Sequence, residues 1–213
     1  MPEIIYKKQL DYLTSLKKQS DKLITEMEEF AHKKSIPILN SLSADFLEKI
    51  VLAKQPKHIL EIGTAIAYSS IRIARQLSGD AKIETIEKSK DNIKLATEYI
   101  KRAKLESRIN ILQGDALAIM PVLDRKYDLI FLDADKQDYE KLFMLSLIIL
   151  KKGGILFVDN LLWYGYPASR TVPESYKRST NFIKEFNQLF IHHPDIDTSI
   201  FPIGDGIGIG VKR

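Results

Sequence analysis

A chain of 213 residues, 45% hydrophobic and 28% charged, fits one soluble globular domain with room for a substantial core. It has no cysteine, which excludes disulfides, thiolate nucleophiles and zinc–sulfur sites. No apolar run reaches the roughly 20 residues of a membrane span, and the charged start lacks the apolar stretch of a secretory signal, so the cytoplasm is the expected setting.

The net charge of +4 tilts the surface towards anions without by itself marking a nucleic-acid partner. In chain order, "YKKQLDYLTSL", "DKLITEMEEFAHKK" and "SADFLEKIVLAKQ" space apolar residues three and four apart and predict helices, the last with Ser43 as N-cap. They form a helical cap, residues 1–55, ahead of a core, residues 56–213. From residue 58 the pattern alternates: "HILEIG", "KIETIE", "RINILQG", "YDLIFLDA" and "GILFVDN" read as strands, with helical stretches between them. That order implies βαβ units and a mostly parallel sheet covered on both faces. After a helix at about 175 to 190, "DTSIFPI" and "GIGIGVKR" flank "GDG", the signal of a closing hairpin with one antiparallel strand.

Ligands of such sheets bind beyond the carboxyl ends of the strands, so the residues there are the candidates. The first strand ends in "LEIGTAIAYSS". It lacks both the three-glycine dinucleotide fingerprint and a phosphate-binding lysine, and its Glu61 suits a cationic or hydroxyl-bearing ligand. Glu87 ends the second strand and is either a ribose acceptor or a helix cap. Asp115 after the third either caps a helix or meets an adenine amine. The fourth ends in Asp133, Asp135 and Lys136, the fifth in Asp159 and Asn160. As neighbours these would offer two carboxylates and an amide, the hard oxygens that suit Mg²⁺, Mn²⁺ or Ca²⁺; as separate residues they are caps and loop acids. Trp163 and Tyr164 either wall a pocket for a planar substrate or belong to the core. The four histidines have no ligand spacing.

Taken together, "LEIGTAIAYSS", "IETIE", "QGDA", "DLIFLDADK", "GGILFVDNLLW" and "PIGDGIGI" resemble the metal-dependent class I O-methyltransferases of the catechol and caffeoyl-CoA type, most closely the bacterial branch that methylates 5-hydroxyuridine at the tRNA wobble position. The resemblance implies a Rossmann-like, seven-stranded sheet with an antiparallel last strand, S-adenosylmethionine as cofactor and a divalent metal. It implies that Glu61, Gly63 and Ser69 line the methionine part of the cofactor, with Thr64, Tyr68 and Asp133 also in contact. Glu87 would hold the ribose, and Asp115 with Ala116 the adenine. Asp133, Asp159 and Asn160 would bind the metal, and Lys136 would be the general base, its pKa lowered by nearby cations. Asp135 is either a support for the metal ligands or a surface acid. Two substrates remain open: the tRNA anticodon loop, with Arg170, Lys177 and Arg178 for phosphates and Trp163 or Tyr164 stacking on the base, or a small catechol or phenol. A cofactor-binding module without turnover is the third reading. Ala67 departs from the glycine common in relatives. A homodimer is expected.

Overall fold

The computed structural model describes residues 7–16 and 21–213; Tyr6, at the head of the first predicted helix, lies outside them. The cap comprises α1 (Lys7–Ser15), α2 (Lys22–Lys34) and α3 (Ser41–Lys54). Asp21 caps α2 by accepting from Leu23 N at 2.7 Å, and Asn40 caps α3 by accepting from Leu42 N at 2.9 Å. The expected cap Ser43 is instead buried inside the first turn of α3. Asn40 takes the role because its backbone is still extended (φ −56°, ψ 142°), which leaves its side chain free to reach an orphan N–H.

The core follows as β1 (His58–Ile62), α4 (Tyr68–Gln76), β2 (Lys82–Glu87), α5 (Lys90–Arg102), β3 (Ile109–Gln113), α6 (Ala116–Ile119), β4 (Tyr127–Leu132), α7 (Tyr139–Ile149), β5 (Leu150–Val158), α8 (Glu174–His192), β6 (Ile196–Phe201) and β7 (Ile207–Lys212). The strands form one sheet in the order β3-β2-β1-β4-β5-β7-β6. β1 to β5 are parallel, and β7 runs antiparallel between β5 and β6. This is the expected seven-stranded, Rossmann-like arrangement with an antiparallel last strand. Period-two alternation sends Ile59, Ile83, Leu129, Phe131 and Phe157 to one face, under α2 to α5. Leu60, Ile62, Ile130, Leu132, Leu156 and Val158 go to the other, under α7 and α8.

The cap shares the first of these cores and is also fastened to α4 by part-buried polar contacts around Arg72. Arg72 donates to Glu48 and Asp45, both at 2.6 Å, and to Tyr68 Oη at 2.7 Å, while Tyr68 Oη donates to Glu28 at 2.5 Å. Arg72 is buried, while the Asp45 side chain stays 39% exposed, so solvent screens part of this network. Among the described residues, no helix is long and apolar enough to cross a membrane.

Candidate active site

A cavity of about 550 Å³ opens at the carboxyl ends of β1 to β5, where the strand order reverses between β1 and β4. Of the residues singled out above, Gly63, Glu87, Asp115, Ala116, Asp133, Asp135, Lys136, Asp159, Asn160, Trp163 and Tyr164 line it. Pro37 and Ile38, between α2 and α3, complete the wall from the cap side. Thr64, Tyr68 and Ser69 are buried beneath the turn after β1, and Tyr68 belongs to the Arg72 network. Arg170, Lys177 and Arg178 are exposed outside the wall; Lys177 pairs with Glu174 at 2.6 Å, and the Arg178 guanidinium lies over the Phe182 ring.

The turn after β1 is shaped by close approach. Gly63 has φ +102°, and a Cβ there would lie 1.9 Å from the Asp133 carbonyl oxygen. Ala67 has φ +65° and starts α4 in the left-handed region, which a glycine would adopt without a Cβ penalty. The alanine carries roughly 1–2 kcal/mol of backbone strain. Glu87 accepts from Ala65 N at 2.9 Å and Ser89 N at 2.8 Å, so it anchors the turn as well as facing the cavity. Asp115 caps α6 through Leu117 N at 2.8 Å.

Glu61 follows Ile59 onto the α4 face of the sheet and is fully buried. Its carboxylate takes hydrogen bonds from the Ser69 and Ser70 hydroxyls and from Thr85 Oγ1 at 2.6 Å. Burial pushes the Glu61 carboxyl up to about 7 against the opposing pull of these hydroxyls. An acid raised in the folded state stabilises most below its unfolded value of about 4.5, and that contribution fades as pH rises through about 7. Glu61→Gln is therefore expected to flatten the loss of unfolding free energy between pH 4.5 and 7 by up to about 3 kcal/mol. Urea titrations across that range measure it, and identical pH slopes for variant and wild type would refute the assignment.

The acids and the amine meet as follows. Lys136 Nζ donates to Tyr139 Oη at 2.6 Å, Asn160 Oδ1 at 2.7 Å and Ala134 O at 3.1 Å, with Asp133 Oδ1 at 3.4 Å. It also lies 4.5 Å and 5.5 Å from the centroids of the Tyr139 and Trp163 rings. The side chains bonded to it all present oxygen acceptors. Tyr139 Oη in turn donates to Asp159 O at 3.0 Å. Asp159 Oδ1 is buried with no hydrogen-bond partner among the described residues, and burial plus the Asp133 charge push this carboxyl well above the usual range. Asp135 makes its ion pair with Lys88, at 2.6 Å across the exposed ends of β2 and β4, so its observed partner is a surface lysine.

Four residues contribute that the sequence pattern did not single out. Tyr139 positions Lys136. Thr85 and Ser70 complete the shell of Glu61. Asp205, which looks like a turn residue in "GDG", accepts from Tyr164 N at 2.5 Å and Asn160 Nδ2 at 3.4 Å. Trp163, Tyr164, Tyr166 and Tyr176 form one aromatic cluster with ring centroids 5.2 to 6.4 Å apart.

A model of the O-methyltransferase family matches residues 14–213. This chain belongs to the O-methyltransferase family. A caffeoyl-CoA O-methyltransferase of Populus kitakamiensis is 30% identical over 215 residues, covering 94% of this chain and 90% of the relative. A Staphylococcus aureus structure provisionally called a caffeoyl-CoA O-methyltransferase superposes with a TM-score of 0.87 at 31% identity, over 97% and 98% of the two chains. A Bacillus cereus O-methyltransferase in complex with S-adenosylhomocysteine gives 0.84 at 25% identity, over 95% and 96%. As an O-methyltransferase, the chain uses S-adenosylmethionine, and the cavity at the switch point is the place the fold offers for it.

Proposed function

We propose that this O-methyltransferase moves the sulfonium methyl of S-adenosylmethionine to a hydroxyl oxygen on a planar ring. In this reading Asp133, Asp159 and Asn160 hold a divalent cation, and Lys136 receives the hydroxyl proton. The observation that carries it is Asp159 Oδ1, a buried carboxylate oxygen without a hydrogen-bond partner among the described residues, beside a second acid and an amide. Among those residues no three His, Cys, Asp or Glu side chains form a cation cage. The donors that fit are therefore the mixed set of two carboxylates and an amide, hard oxygens suited to Mg²⁺, Mn²⁺ or Ca²⁺. Such an ion, when bound, lowers the pKa of a coordinated hydroxyl. The C–S bond breaks as the C–O bond forms, S-adenosylhomocysteine departs, and the proton ends on Lys136 Nζ, where Tyr139 Oη and Asn160 Oδ1 are placed to accept from the ammonium. Asp159→Ala is expected to abolish the response of the rate to added Mg²⁺ while S-adenosylhomocysteine still binds; a metal response like that of wild type would remove Asp159 from the ligand set.

For the substrate, the first reading is 5-hydroxyuridine at the tRNA wobble position. It is supported by the net charge of +4, the exposed Arg170, Lys177 and Arg178, and the aromatic cluster beside Lys136, on which a splayed base can stack. The second is a small catechol or phenol, favoured by the caffeoyl-CoA names of the relatives. Incubation with S-adenosylmethionine, Mg²⁺ and either hydroxyuridine-containing tRNA or a catechol, followed by mass, decides between them: transfer to the catechol alone removes the tRNA reading. The assembly that fits the exposed Tyr12 and Leu13 of α1 and Leu52 of α3 is a homodimer, which light scattering tests.

A further inference from the structure

The segment after β5 holds an unusual backbone. Asn160, Trp163 and Tyr164 all have positive φ, at 64°, 40° and 58°, a conformation that costs non-glycine residues free energy and persists only where surroundings impose it. The surroundings here are the turn between β6 and β7. Leu161 N donates to Gly206 O and Leu162 N to Asp205 O, both at 2.9 Å, and Tyr164 N donates to Asp205 Oδ1 at 2.5 Å. Gly206 sits so close that a Cβ would lie 2.5 Å from Leu162 N. Asp205 Oδ2 is then left facing Asn160 Nδ2 at 3.4 Å.

An asparagine amide has two distinguishable ends. At Asn160 the oxygen faces the Lys136 ammonium at 2.7 Å and the nitrogen faces the Asp205 carboxylate. A carboxylate accepts only, so with Asp205 in place the flipped amide would set oxygen against oxygen and nitrogen against the ammonium. We propose that Asp205 is a positioning residue that fixes the amide of Asn160 with its oxygen turned to the metal and Lys136 side of the cavity. The proposal rests on the reading of Asn160 as a metal ligand and adds the residue that orients it. Loss of such outer support typically weakens metal binding 10–100-fold.

The test uses Asp205→Asn, which keeps the size and an oxygen for Tyr164 N but sets an amide nitrogen against that of Asn160. Expected results for this variant are a Mn²⁺ dissociation constant raised about tenfold or more by calorimetry, S-adenosylhomocysteine affinity within about twofold, and an altered ¹⁵N–¹H resonance pair for the Asn160 side-chain amide, identified by its disappearance in Asn160→Asp. The double variant Asp205→Asn/Asn160→Asp, which again sets a donor against an acceptor, is expected to recover most of the Mn²⁺ affinity; a purely structural role for Asp205 gives no such rescue. Mn²⁺ affinity unchanged in Asp205→Asn, or failure of the double variant to recover, overturns the proposal. If wild type itself binds no Mn²⁺, the metal reading has failed, and the metal-free spectrum decides: an Asn160 amide resonance unmoved by Asp205→Asn overturns the positioning role, and a moved one upholds it.

Discussion

Lys136→Met is expected to lower the rate of methyl transfer by about 10²–10⁴-fold while leaving S-adenosylhomocysteine binding within about twofold of wild type. Methionine keeps an unbranched apolar stem against Tyr139 and Trp163 but has no group to take a proton. Lys136→Arg is expected to fail equally, because a guanidinium stays protonated at any working pH and so is no base. A structural role predicts the opposite ranking: the arginine would preserve charge contacts to Asn160 Oδ1 and Tyr139 Oη, the bonds that Lys136 makes at 2.7 and 2.6 Å. Single-turnover rates with saturating cofactor separate the two. Arginine restoring most of the rate would show that Lys136 serves as a cation.

Gly63→Ala is expected to be the most damaging single methyl in the core. Its Cβ would lie 1.9 Å from Asp133 O at a φ of +102°, so strain and clash act together. The backbone term alone is on the order of 1–3 kcal/mol, and overpacking against a main-chain carbonyl adds about 1–3 kcal/mol. The total of several kcal/mol is a large share of a typical domain's 5–15 kcal/mol. Relief by backbone movement has a functional consequence, since Asp133 N donates to Ile62 O at 3.0 Å, and the exits of β1 and β4 shift as one. Gly79→Ala is the control: φ is +60° but nothing lies within 4 Å of the added carbon, leaving the roughly 1–2 kcal/mol of a left-handed alanine. Urea midpoints for the two variants that differ by less than the error would remove the close approach as an explanation.

The sheet was readable because strands buried on both faces leave short, nearly continuous apolar runs, and because helical spacing separates them. The strand ends pointed to Asp133, Lys136, Asp159 and Asn160 as one group, and the cavity brings these four together. Glu61 shows what spacing leaves open. Alternation along "ILEI" predicts that it shares a face with Ile59, yet nothing local says that this face is roofed by α4, whose serines take up the carboxylate. Asp205 was hidden for a different reason. An Asp-Gly pair between strands is sufficient to explain a turn, and its partner Asn160 is 45 residues away. Ser43 was misread because any small hydroxyl residue near a helix start looks like a cap, while the chain had already turned helical two residues earlier, at Ser41.

The Arg72 contacts tie the history of the cap to that of the catalytic core. Arg72 and Tyr68 sit on the helix that follows the turn after β1, yet their partners Glu28, Asp45 and Glu48 all come from α2 and α3. Neither half can drift alone. A substitution that neutralises Glu48 removes one of the two carboxylates that Arg72 reaches from α4, and one that shortens Arg72 removes the contacts of α4 to both Glu48 and Asp45. A chimera that grafts these helices onto another methyltransferase core must therefore carry Tyr68 and Arg72 with them. Pro37 and Ile38, which ride between the same helices and line the cavity, would travel in that exchange too, so swapping the cap amounts to reshaping the wall of the chamber at the strand ends.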